Sequence, residues 1–214
     1  MINISLLLLF LFVCTVHCER VILTCDHIRA FVDGHNTRRL KVAQGLVPGQ
    51  PAASNMQFMV WDKELAEKAS DWADKGVFAH NPDKTIGSKR WNSIGENIYM
   101  SNFYSNMGDE APINIEEALD FWFQEYKNYN FCPFYLNFVN QFAHYTQMVW
   151  STTNRIGCGI SQTKDNNFTK TLFVCDYGPT GNYFEQKPYN STQQATNILR
   201  CSDGACSKPY GSNC

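Results

Sequence analysis

Apolar residues recur at helical spacing in three stretches of this 214-residue chain. Between His27 and Ala43, the residues Ile28, Phe31, Val32, His35 and Arg39 share one face, with Asp26 as a candidate N-cap. A first helix is predicted there, its inner stripe ending in polar groups. Residues 45–55 carry two Pro and two Gly and read as a loop. Asp62 can then cap a second helix whose Leu65, Ala69, Trp72, Ala73 and Gly76 lie on one side, stopping near Gly76. A third begins after Asn114, with Glu116 and Glu117 suited to a helix start, and Ile115, Ala118, Leu119, Trp122 and Tyr126 carry it to about Lys127.

Strand signals are weaker. Residues 81–97 are turn-rich, and Ile98, Tyr99 and Met100 offer one short strand. The stretch His144–Trp150 fits either a short helix or a strand. Arg155–Gln162 and Lys170–Tyr177 are β-favouring runs around a polar segment, Thr163–Thr169, and read as a hairpin. Cys158 and Cys175 then face each other across it or staple it to a neighbour. Helices interleaved with scattered strands lack the βαβ alternation of a doubly wound sheet, so the fold class is α+β.

Composition bounds the setting. Residues 4–13 (ISLLLLFLFV) have the length of a signal-peptide core, and a cut after Cys18 is expected. The organisation expected is a signal peptide at 1–18, one domain at 19–188, and a short cysteine-containing tail at 189–214. No later stretch has the roughly 20 apolar residues of a transmembrane helix. Nine cysteines without a CxxC pair indicate disulfides and a secreted, extracellular protein. Removing Cys14 and Cys18 leaves seven, an odd number. A formal net charge of −2 argues against nucleic acid as a partner, and 44% hydrophobic residues exclude a disordered chain. Sequons at Asn167 and Asn190 are candidate glycosylation sites; a further one at Asn3 falls in the leader.

No HExxH, GxSxG, P-loop or dinucleotide fingerprint is present. What remains are isolated His and Glu in polar contexts: His80, Glu96, Glu125 and His144. The segments Phe142–Trp150 (FAHYTQMVW), Leu172–Tyr177 (LFVCDY), His35–Arg39 (HNTRR) and Gly95–Ile98 (GENI) resemble, in order, the four signature motifs of the CAP superfamily. This superfamily, also called SCP/TAPS, includes cysteine-rich secretory proteins, antigen 5-type venom allergens and plant pathogenesis-related proteins. The similarity spans about Cys25 to Phe184 and looks closest to secreted venom allergen-like members. Two positions depart from the pattern: Ala143 stands where Gly is usual, and Asp176 where a neutral or basic residue is.

The resemblance implies a three-layer α-β-α sandwich with a central cavity, in which His80, Glu96, Glu125 and His144 match the cavity tetrad. His80 and His144 would be the metal ligands for a divalent cation such as zinc. A hydrogen-bonded network that only braces the cavity is the plainer reading. Metal-dependent hydrolysis ranks last, because no third histidine or nucleophile accompanies the pair. His35 and Arg39 match a motif yet share a helix face with Phe31 and Val32, so a satisfied inward-facing pair is expected. His27 is expected as an exposed residue at the helix start. The ring-rich segment 121–138 contains Tyr126, Phe131 and Phe134 at the spacing of the family's sterol-binding motif, and Phe121, Tyr126 and Tyr129 repeat it. The resemblance therefore implies lipid binding, to sterol or fatty acid, with a host cell-surface protein as the alternative partner. It also implies a Cys158–Cys175 disulfide, and Cys132 is expected to tether its loop to Cys25.

Overall fold

A computed structural model describes residues 18–105, 109–212 and 214, the side chains of 138–140 excepted. The predicted leader lies outside the described residues apart from Cys18. Among the described residues no helix is long and apolar enough to cross a membrane. The chain runs β1 (Cys18–Arg20), α1 (Cys25–Ala43), β2 (Ala52–Ala53), β3 (Val60–Trp61), α2 (Lys63–Ala73), β4 (Gly95–Tyr104), α3 (Ile115–Gln124), α4 (Val139–Met148), β5 (Arg155–Asp165), β6 (Phe168–Gly178) and β7 (Ser191–Thr192).

The central sheet has the order β1-β5-β6-β4, all antiparallel, with β3 joining β5 in parallel. Along β6 the side chains alternate between two cores. Phe173, Cys175 and Tyr177 face the large cluster built with α1, α3 and α4. Leu172 and Val174 face Ala69 and Ala73 of α2. The result is a three-layer α-β-α sandwich. Its α2 layer lies directly on the β5 backbone, because Gly157 and Gly159 present no side chain there. A Cβ at Gly157 would stand 2.0 Å from the Ala66 nitrogen, and one at Gly159 2.3 Å from the Ser70 Cα.

Helices α2 and α3 start at the predicted caps, Asp62 accepting from Leu65 N and Asn114 from Glu117 N. Several details differ from the sequence reading. Helix α1 begins two residues early, since Thr24 is the cap: it accepts from His27 N, while His27 Nδ1 accepts from Thr24 N. His27 thus completes a capping box, a role sequence reasoning did not give it. Strand β4 has ten residues rather than three, because pairing with β6 along its whole length outweighs the low strand propensity of Glu96, Asn97, Ser101 and Asn102. The hairpin loop shrinks to Asn166 and Asn167, with Asn166 at φ 52°, a conformation Asn tolerates. The ambiguous stretch at His144 is helical, and α3 passes at Glu125 into a 3₁₀ turn, Glu125–Asn128.

Two buried polar side chains on α1 join the layers. Arg39 donates to the carbonyls of Gln57 (2.8 Å), Met148 and Trp150 (2.9 Å each), Ser151 (3.3 Å) and Thr153 (2.9 Å). Burial lowers its pKa to about 9, which leaves the guanidinium charged at neutral pH. His35 donates from Nδ1 to Phe31 O (2.7 Å), so its Nε2 accepts from the Tyr177 hydroxyl (2.9 Å). Asn97 donates in turn to Tyr177 Oη (3.2 Å) and to the carbonyl of His144 (3.1 Å). Each of the four sequence motifs contributes one member to this chain of bonds.

Among the described residues three disulfides are present. Cys158 and Cys175 are cross-strand partners and are bonded. Cys25 is bonded to Cys214, not to Cys132 as expected, and Cys201 is bonded to Cys206. The reason is the path of the tail. It pairs β7 with β2, exchanges backbone bonds between Arg200 and both Met56 and Phe58, and gives the Pro209 carbonyl to Trp61 N, so it arrives at the start of α1. Cys132 is held elsewhere, its backbone bonded to the Tyr129 hydroxyl. Cys18 and Cys132 are free thiols.

Arg39→Lys is expected to lower stability by at least about 3 kcal/mol in urea titration, since one ammonium cannot reach five carbonyls in a buried setting. His35 gives an acid dependence. Burial lowers its pKa from 6.5 to about 3, so the unfolded chain binds the proton first and stability drains away as pH falls from 6.5 toward 3. His35→Gln should flatten that slope in a pH series of thermal unfolding.

Candidate functional site

At the start of β4, between the loop that follows α2, helix α4 and the loop after β6, a cleft of about 420 Å³ opens. Its walls include His80, Lys84, Glu96, His144, Gln147 and Asn182. His80 lies in the loop after α2, where the Trp72 indole donates to the Ala79 carbonyl (2.7 Å). Glu96 is the second residue of β4. His144 belongs to α4, and Glu125 stands behind it at the end of α3.

The tetrad is thereby arranged as two imidazole–carboxylate pairs. His80 Nδ1 is 2.6 Å from Glu96 Oε1, and His144 Nδ1 is 2.7 Å from Glu125 Oε1. A nitrogen this close to a carboxylate carries the proton, so in the neutral form of each ring Nε2 is the atom with the free lone pair. Both carboxylates are held further: Glu96 Oε1 also accepts from Asn81 N (2.9 Å) and Lys84 Nζ (3.0 Å), and Glu125 Oε2 from the amides of His144 (2.9 Å) and Tyr145 (3.1 Å). Burial pushes the Glu96 pKa up, but the bonds and charge from His80, Lys84 and Asn81 outweigh it, and the net shift is downward. Among the described residues no three His, Cys, Asp or Glu side chains converge as a metal site. Two imidazoles, those of His80 and His144, line the cleft together.

Gln147 and Lys84 went unread in the sequence. Gln147 lies one helical turn after His144, and its amide fills the space that Gly95 and Gly181 leave: a Cβ at Gly95 would stand 2.1 Å from Gln147 Oε1, which accepts from Gly181 N at 3.0 Å. The GENI motif needs its glycine for this contact. Asp176 was noted only as a departure. It sits opposite Glu96 across the β4–β6 pair, on the α2 face. Its carboxyl is buried with neither oxygen hydrogen-bonded, and Glu96 Oε2 is buried without a partner beside it. Burial, reinforced by the Glu96 charge and only partly offset by Lys84 and Lys68, pushes the Asp176 pKa well above the ordinary aspartate range.

The rings from the sequence reading gather on the other side of α4. Tyr126 packs on Phe123 and Tyr145, Phe131 on Tyr189 (4.8 Å) and Tyr129, and Phe134 on Phe142. Phe134 is buried, whereas Tyr126 and Phe131 are half-buried. This nest and the histidine cleft are separate places. Of the two sequons, Asn167 is at the tip of the β5–β6 hairpin and Asn190 precedes β7, both exposed.

A three-layer sandwich with paired His–Glu groups at its sheet edge defines the class of protein. Residues 32–177 match the cysteine-rich secretory protein (CAP) family model, and the chain belongs to that family. It is 35% identical over 171 residues to venom allergen 5.02 of the wasp Dolichovespula maculata, covering 77% of this chain and 76% of the relative. Among solved structures it resembles venom allergen-like protein 4 of Schistosoma mansoni (36% identity, TM-score 0.58, 77% of this chain and 94% of the other). It also resembles NaASP2, whose structure was solved with Zn²⁺ (30% identity, TM-score 0.62, 77% and 85%).

Asp176→Asn is expected to raise the thermal midpoint at pH 7, corresponding to at least about 1 kcal/mol. A folded-state pKa above the unfolded 3.8 means that stability is lost as pH rises, so the gain should vanish near pH 4. An unchanged midpoint at both pH values would show that Asp176 is not a protonated, unsatisfied acid.

Proposed function

We propose that this protein is a secreted carrier that binds a sterol or fatty acid and acts outside the cell, in contact with a host or neighbouring cell. The leader at 1–18, the domain at 19–188 and the tail at 189–214 belong to this reading, as do glycans on Asn167 and Asn190. Three disulfides suit an oxidising compartment.

The observation that carries it is a pair of unsatisfied polar atoms inside the ring nest. Gln50 donates from Nε2 to the carbonyls of Tyr126 (3.2 Å) and Tyr129 (2.6 Å), while its Oε1 is buried without a partner. The Tyr145 hydroxyl is also buried without a partner, since the Tyr189 hydroxyl beside it already donates to the Pro51 carbonyl (3.0 Å). Each such atom costs about 1–3 kcal/mol. The hydroxyl of a sterol, or a fatty-acid carboxyl in its protonated form, would satisfy both while its hydrocarbon lies against Tyr126, Phe131 and Phe134. Because Phe134 is buried, admission of the guest requires the Phe134 ring to swing aside.

His80 and His144 would hold a divalent cation such as zinc through Nε2, with Glu96 and Glu125 fixing both rings. When bound, the cation would polarise a water at the cleft mouth. Closure of both pairs by their own hydrogen bonds supports a second reading, in which the cavity is scaffold and exposed loops engage a receptor. A pull-down that survives delipidation and loss of His80 and His144 would favour it. A metal-dependent hydrolase ranks third and would show turnover abolished by chelator.

Purified protein is expected to bind radiolabelled cholesterol saturably. Phe131→Ser with Phe134→Ser should weaken binding on the order of tenfold or more, and Gln50→Leu should weaken it with the rings intact. Binding that is indifferent to all three changes would remove the site assignment.

A further inference from the structure

Next to the ring nest, two loops are tied into one unit. Phe134 N donates to the Gln186 carbonyl (2.8 Å) and Glu185 N to the Phe134 carbonyl (2.9 Å). Phe134 points inward and anchors the pair, whereas the residues on either side of this ladder point out. Leu136 is 65% exposed, Phe184 56%, Tyr183 43% and Tyr135 38%. Tyr135 and Phe184 meet edge to face at 5.9 Å, and Tyr183 leans on Trp150. The left-handed conformation at Glu185 (φ 60°) helps turn the chain back toward its bond with Phe134. A chain with a full core to offer thus leaves four large apolar side chains in water on braced loop tips.

We infer that this tip docks on a zwitterionic lipid bilayer, with Leu136 and Phe184 entering the acyl boundary and Tyr135 and Tyr183 at the headgroup level. Phenols with one apolar and one polar end suit that interface. The charge at the tip matches it as well. Glu185 and Lys187 are exposed there as one carboxylate and one ammonium, the counterpart of a phosphocholine headgroup rather than of an anionic lipid. The Lys187 ammonium lies 5.0 Å over the Phe131 ring, at the boundary between tip and nest. The inference rests on the carrier reading, since it puts the nest beside the membrane that would supply or receive the guest.

The test is flotation of the intact protein with vesicles of phosphatidylcholine and cholesterol, alongside cholesterol binding from detergent micelles. Wild-type protein should float with the vesicles, equally at low and high salt, and Leu136→Ser/Phe184→Ser should reduce the bound fraction on the order of tenfold or more. That variant should keep its unfolding midpoint and its binding of micellar cholesterol. Micellar binding without flotation overturns the docking and leaves the carrier; loss of both in the wild type overturns both. Flotation that survives the double variant, or that requires anionic lipid, overturns the assignment to this tip. So does a soluble receptor that captures the wild type through Leu136 and Phe184 while vesicles do not.

Discussion

A single buried guanidinium sets the geometry on which the rest depends. Arg39 has no exposed surface, and its N–H groups collect carbonyls from the segment before β3, the end of α4 and the turn into β5. Carbonyls at the end of a helix and in a tight turn lack partners of their own. One planar cation satisfies several and fixes the direction in which α4 leaves the sheet. His144 is carried by that helix, so its approach to Glu125 is settled partly by a residue of α1.

The chain His35–Tyr177–Asn97–His144 makes the same point for the family pattern. Its members are distant in sequence and look unrelated, since an imidazole, a phenol, an amide and a backbone carbonyl share no chemistry beyond hydrogen bonding. Once buried together, each depends on the next. The motifs are best understood as one polar seam through an apolar core, and the cleft as the place where the seam reaches solvent. Asp176 marks the limit of that economy: an acid on the opposite face, with no partner for either oxygen.

The helices were legible because their signals are local. Asp62 and Asn114 sit at the start of stretches whose apolar residues recur at 3.6 spacing, and both caps form. The β5–β6 hairpin was legible for the same reason, although its turn is tighter than the polar run suggested. What escaped was set by partners far along the chain. The ten residues of β4 are strand because β6 lies beside them, and Thr24 rather than Asp26 caps α1. The Cys25 partner depended on where the tail lies, which no spacing reveals. For the site, resemblance supplied the four residues of the two His–Glu pairs, but the orphan atoms of Gln50 and Tyr145 and the glycine-lined slot of Gln147 became visible only in three dimensions.

The bond between Cys25 and Cys214 closes the described polypeptide into a near-complete ring. A protease acting once on any loop inside that ring produces a nicked molecule whose two pieces remain covalently joined. Release of a fragment from the ring needs a second cut or a reductant. A lone scission is therefore survivable, and the loops can stay exposed without making the molecule short-lived.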